Sequence, residues 1–269
     1  MSTRLPFSLY LEHLRHESAR LADALDVAPA DAPVPSCPEW SAWDLAHHLT
    51  VVQSFWAAVV RGLLTEPDQV EAVEEPPRAD TMQCQLAALR AATIRLVGAL
   101  EQTPPETPAW TWSAEQTVGF SYRRQALEAL VHRIDAELTV DARTPVDVEL
   151  AADGVDEALR IMVGGCPPWG AITPDPTGTV RVTASDTGRS WLVHPARFAG
   201  TDRDGTSYDE PDIAVADVDS GLSVDADVTG TAEDLLCWLW GRPTVGEIVR
   251  SGDDSTLAAI TAVFPRPIT

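Results

Sequence analysis

Four stretches of helical apolar periodicity, separated by breaks that no helix can cross, fill the first half of the chain and restrict it to a helical bundle. Phe7 to Leu25 carries apolar residues at helical spacing, and the segment that follows, Val27 to Pro38, holds four prolines and cannot continue it. Ser41 is placed to cap a second helix running to about Leu64, with Asp44 in its first turn, where the dipole favours an acid. An acidic loop from Thr65 to Pro77 precedes a third helix, about Asp80 to Leu100. After the break Gln102 to Trp112, a fourth begins near Ser113 or Thr117 and ends near Leu138. Four such helices predict an antiparallel bundle, a fold whose core can carry a metal site built from facing helices.

The pattern changes after Asp141. A helix is expected over Asp153 to Val163. Thr179 to Thr183 and Ser190 to His194 alternate like paired strands around the turn Asp186-Thr-Gly188. Ile213 to Val218 and Leu222 to Val228 read as further strands, Ala232 to Trp240 and Ser255 to Val263 as helices. The expected class is therefore α + α/β, with a bundle over 1–142 and a smaller mixed α/β domain over 143–269; 269 residues are enough for two modest cores.

Charge narrows the partners. With a formal net charge of -22, the chain lacks the basic footprint that a nucleic-acid backbone or an anionic membrane requires. All nineteen basic residues are arginine, so Schiff-base chemistry on a lysine is excluded. Cys37, Cys84, Cys166 and Cys237 are scattered without a CxxC pair and are expected as buried thiols. The N-terminus shows no apolar run, and no stretch approaches membrane-spanning length, so a cytoplasmic location is expected.

Against this background one spacing stands out. Glu128 and His132 lie four residues apart on the fourth helix, so their side chains leave the same face one turn apart and can reach one ion. On the second helix, Leu45, Leu49, Val52, Trp56 and Val59 form a narrow apolar stripe. At 100° per residue, His48 falls roughly 60° from the centre of that stripe and His47 nearly opposite it. His48 is thus the inward histidine and the third candidate ligand. Glu at i and His at i+4 is also an ordinary helix-surface pair, so spacing alone leaves both readings open. Asp135 is placed either to accept the second imidazole N–H of a ligating histidine or to pair with Arg133 or Arg124 at the surface. Arg123, Arg124 and Arg242 are candidates for gripping an anionic substrate with two parallel N–H groups. Trp110 and Trp112 suit packing at the end of the bundle.

Pro35-Ser-Cys-Pro-Glu-Trp-Ser-Ala-Trp-Asp-Leu-Ala-His-His-Leu49, Trp110-Thr-Trp112, Glu128-Ala-Leu-Val-His-Arg-Ile-Asp-Ala-Glu137 and Asp234-Leu-Leu-Cys-Trp-Leu-Trp-Gly-Arg-Pro243 together resemble the mycothiol-dependent maleylpyruvate isomerase family of actinobacteria. The resemblance spans both halves and implies a DinB-like four-helix bundle followed by a sterol-carrier-like α/β domain. It further implies a divalent metal, usually zinc, on His48, Glu128 and His132, with mycothiol as thiol cosubstrate. The family's Asp-Leu-x-x-His-Leu pattern also selects His48. Ile134 stands where many members have tryptophan, a departure beside the presumed pocket. By the same resemblance Arg242, in the Gly-Arg-Pro turn, is the candidate catalytic residue contributed by the second domain.

The implied activity is a mycothiol-dependent isomerase or S-transferase acting on a small-molecule electrophile, in a monomer or homodimer. Two other readings share the metal trio. One is a hydrolase in which a metal activates water without any thiol; the other is a non-enzymatic protein whose metal is regulatory or structural.

Overall fold

The structure, a computed structural model, describes residues 4–175, 178–218 and 220–264. It divides into two compact units, one formed by residues 4–144 and the other containing residues from 145 onward.

The first unit is built on four long helices: α1 (Phe7–Val27), α2 (Ala42–Gly62), α4 (Met82–Gln102) and α5 (Val118–Thr139). Local chemistry sets their starts. The Ser41 hydroxyl accepts from the Asp44 amide while Asp44 Oδ2 accepts from the Ser41 amide at 2.8 Å, a reciprocal cap that fixes where α2 begins. Arg78 then closes on the same carboxylate at 2.7 Å. Thr81 caps α4 through the Cys84 amide. Leu21, Leu25, Leu45, Leu49, Leu86 and Leu89 meet in one core cluster, which draws α1, α2 and α4 together. On α5 every residue from Val118 to Glu137 except Glu128 is buried, including Arg123, Arg124 and Arg133. Burial thus extends around the helix well beyond any single apolar stripe.

Two elements in this unit depart from expectation. The proline-rich segment is not a plain loop: β1 (Pro33–Val34) and β2 (Cys37–Ser41) pair antiparallel across Pro35 and Ser36, delivering the chain to the cap of α2. A short helix, α3 (Pro67–Glu71), sits in the acidic stretch, with proline in its first turn, where no N–H is lost.

The second unit opens with α6 (Val148–Glu157), capped by Asp147, and continues into a π-helical turn over Ala158–Val163. Its sheet has six strands: β3 (Gly170–Pro174), β4 (Val180–Ala184), β5 (Ser190–Thr201), β6 (Ser207–Ala216), β7 (Ala226–Gly230) and β8 (Val249–Gly252). β5 is the spine. It pairs antiparallel with β6 along one edge and with β4 and then β3 along the other, while β4 and β7 run parallel. Gly170 permits the β3 pairing, because a Cβ there would sit 2.2 Å from the Phe198 ring. α7 (Ala232–Leu239), capped by Thr231, and α8 (Asp254–Thr261), capped by Asp253, complete the unit. A helical region thus precedes a mixed sheet and helix region, as the periodicities predict. β3 and β8 are additional to that reading, and β6 begins six residues earlier than expected.

The thiols correct an expectation: only Cys237 is buried, Cys37 is half-buried, and Cys84 and Cys166 are exposed. Cys84 lies in the first turn of α4, where its amide rather than its thiol is used, which removes any packing reason to bury it. Among the described residues, no helix is long and apolar enough to cross a membrane.

Candidate metal centre

His48 comes from the second turn of α2, and Glu128 and His132 from successive turns of α5. His48 Nε2 stands 3.1 Å from Glu128 Oε1, and His132 Nε2 stands 3.2 Å from the same oxygen. One ligand atom from each of the three residues lies within 4.8 Å of the others. For metal–ligand bonds of about 2.0–2.1 Å in tetrahedral geometry, donor atoms sit roughly 3.4 Å apart, so the trio is close to what zinc requires. The donor set, two imidazoles and one carboxylate, is also one that zinc accepts.

Two of the three candidate ligands are held from behind. His132 Nδ1 is 2.9 Å from Asp135 Oδ2, and Asp135 is fully buried. Ser36, from the β1–β2 hairpin, donates its hydroxyl to Asp135 Oδ1, and Cys37 Sγ lies 3.9 Å from Oδ2. The Asp135 contact aims Nε2 toward Glu128, so Nε2 is the ring atom a metal would take once its proton is displaced. Glu128 Oε2 accepts from Arg124 Nη2 at 2.9 Å. Trp40, from β2, packs its ring 4.7 Å from His48 and 5.9 Å from His132. The proline-rich hairpin therefore supplies both a covering aromatic and a partner for the orienting carboxylate, contributions that no spacing in the sequence announces.

The electrostatics follow from this crowding. Burial pushes the Glu128 carboxyl up, but His132, then His48 and Arg124, outweigh it and hold the group well below the usual carboxylate range. Burial likewise favours neutral His132, yet the Glu128 and Asp135 carboxylates overcome this and carry it up to about 9. Two carboxylates around one imidazole create a strongly cation-attracting site, and a metal ion would satisfy the same charges as that proton does.

The remaining candidates lie elsewhere. His47 is turned away, its Nε2 3.7 Å from Glu75. Asp135 pairs with His132 rather than at the surface with Arg133; Arg133 instead donates to Glu17 at 2.7 Å and Glu137 at 2.9 Å inside the first unit. Arg123 and Arg124 are both buried, and Arg124 is committed to Glu128. Arg242 belongs to the second unit, where it follows Gly241, donates to the Trp240 carbonyl at 2.7 Å and lies over the Trp240 ring. Trp110 packs among Phe55 and Trp56, while Trp112 packs edge-on to Phe120.

Comparison with known proteins places the chain in a family. Residues 11–137 match the mycothiol maleylpyruvate isomerase N-terminal domain, and residues 149–259 match the C-terminal domain described for the same isomerases. Among solved structures, the fold is similar to a crystal structure of the mycothiol-dependent maleylpyruvate isomerase, at 11% identity and a TM-score of 0.55, covering 93% of this chain and 95% of the other. A structure of a histidine-to-alanine mutant of that enzyme aligns at 12% identity and a TM-score of 0.53, with the same coverage. No curated protein matches the chain in sequence.

Proposed function

The chain belongs to the mycothiol maleylpyruvate isomerase family, and on that premise we propose that it is a metal-dependent enzyme that activates the thiol of mycothiol for attack on a small electrophile. The observation that carries the reading is the convergence of His48, Glu128 and His132 on one point from two helices. A divalent metal held by these three, zinc in the first instance, supplies Lewis acidity that lowers the pKa of a thiol and favours the thiolate at neutral pH.

The chain's own groups do the rest. Asp135 holds His132 Nδ1, which leaves Nε2 as the atom that would give up its proton to a metal. Trp40 shields the histidine pair from water, which strengthens every charge interaction inside. The thiolate adds to the electrophilic carbon of an alkene conjugated to a carbonyl, forming a C–S bond and an enolate. Rotation about the former double bond and expulsion of the thiolate regenerate the alkene with inverted geometry, as isomerisation of a maleylpyruvate-like substrate requires. If the C–S bond is kept and the enolate protonated, the same site performs S-transfer.

The test pairs composition with turnover. Elemental analysis of the wild type should find about one zinc or other divalent metal per chain, lost in His48→Ala and Glu128→Ala. With mycothiol present, the wild type should isomerise a maleylpyruvate-like diacid or conjugate a bimane-type acceptor. Equal isomerisation without thiol would overturn the thiol mechanism, and metal retained in both variants would remove the centre from these residues.

A further inference from the structure

Glu128 has two oxygens with separate occupations. Oε1 faces both His48 Nε2 and His132 Nε2, at 3.1 and 3.2 Å, whereas Oε2 accepts from Arg124 Nη2 at 2.9 Å. Arg124 lies one turn earlier on α5 and is only 3% exposed, so its charge sits in the protein beside the carboxylate it serves. A carboxylate without such a partner offers a metal two equivalent oxygens and can chelate with both. Turning Oε2 toward the histidines here breaks a charge-assisted hydrogen bond and leaves a guanidinium buried without that partner, a costly exchange.

We propose that Arg124 is a positioning residue that confines Glu128 to one ligating oxygen and thereby keeps a coordination position available to the incoming thiol. The inference rests on the metal-centre reading above and adds to it a reason why a buried cation stands so close to a site built to attract one. A metal site would ordinarily exclude a neighbouring positive charge; Arg124 is tolerated because it consumes the oxygen that would otherwise close the site. It also explains why a residue that looks in the sequence like an anion clamp is not exposed to substrate.

The experiment uses the full chain loaded with Co2+, whose visible absorption reports coordination number. Wild type, Arg124→Met and Arg124→Lys are compared for bound cobalt, visible band intensity, and the near-ultraviolet sulfur-to-cobalt band raised by 2-mercaptoethanol. Arg124→Met should retain cobalt but show visible bands weakened about twofold, as the second Glu128 oxygen joins the metal. Its sulfur-to-cobalt band should fall by a similar factor, and Arg124→Lys, which keeps one donor and the charge, should recover most of both signals. If Arg124→Met fails to fold by circular dichroism, Arg124→Gln carries the comparison, with bands expected between wild type and that twofold loss. A wild-type spectrum in the folded Met or Gln variant overturns the proposal, as does loss of cobalt from it, which would make Arg124 a support for ligation rather than a limit on it. Failure of the wild type itself to take up cobalt would overturn the metal centre instead.

Discussion

Replacing Asp135 with asparagine removes one charge and one acceptor from a fully buried position and should weaken zinc binding 10- to 100-fold, by about 1.4–2.7 kcal/mol. The magnitude follows from the contacts. Asp135 uses Oδ2 for His132 Nδ1 at 2.9 Å and Oδ1 for the Ser36 hydroxyl, so both oxygens face donors. An asparagine meets one of them with its carbonyl and turns an NH2 group toward the other. If the carbonyl serves Ser36, the imidazole loses its acceptor, and the lost hydrogen bond to a charged group is worth about 1.5–3 kcal/mol, which overlaps the affinity estimate independently. The assay is competition against a chromophoric zinc chelator at fixed pH, with circular dichroism as a control for folding. Ser36→Ala supplies the internal comparison, because it leaves the Asp135–His132 contact in place; its zinc affinity should stay within about threefold of wild type. Asp135→Asn binding zinc as tightly as the wild type would refute the claim that the buried carboxylate orients His132. Equal losses in both variants would shift the effect from His132 to the hairpin.

Other expectations concern the scaffold around the site. Arg133→Met strands Glu17 in the interior, while Glu137 keeps Arg20 and Thr144, and should destabilise the protein by about 3–5 kcal/mol in urea titration. Zinc titration should change tryptophan emission mainly through Trp40, so Trp40→Phe should abolish most of the change while binding stays stoichiometric. Burial raises the Asp44 pKa, but the Ser41 hydroxyl and amide and Arg78 outweigh it, leaving the folded value below 3.8. The carboxylate therefore contributes stability above pH 3.8 that is lost as pH falls through the folded value, and the gap between wild type and Asp44→Asn in denaturant titrations should close over that range. Ser41→Ala, which removes the other half of the same cap, should cost about 1 kcal/mol in the same titration.

What the sequence makes legible is what depends on neighbours along the chain. The start of α2 is written in Ser41 and Asp44, three residues apart, and the structure finds both halves of that cap. Glu128 and His132 share a face for the same reason, since helical geometry fixes their relation without any tertiary contact. His48 is a step further, because choosing it over His47 needs only the stripe of its own helix; the structure turns the two histidines toward different partners, Glu128 and Glu75. β4 is visible because its alternation is local, with Val180 and Val182 buried and Arg181 exposed, whereas the start of β5 is legible as an apolar run, with Trp191, Leu192 and Val193 all buried. β8 is hidden for the opposite reason: all four of its residues are exposed, and a strand buried on neither face carries no period.

The β1–β2 hairpin shows where local reading stops. Its prolines argue against any strand, yet each sits where pairing tolerates it, at the start of β1, in the turn and on an exposed position of β2. Its value lies in contacts that have no local signature. Ser36 reaches Asp135 across 99 residues, and Trp40 covers two histidines contributed by different helices. Candidate ligands, and Asp135 as one of two readings, can thus be found by helical spacing, but Ser36 and Trp40 are brought to them by tertiary structure alone. Arg124 makes the point most sharply: its spacing from Glu128 is as regular as that of His132, yet only the tertiary structure shows it buried and donating to Oε2 at 2.9 Å rather than exposed as an anion clamp.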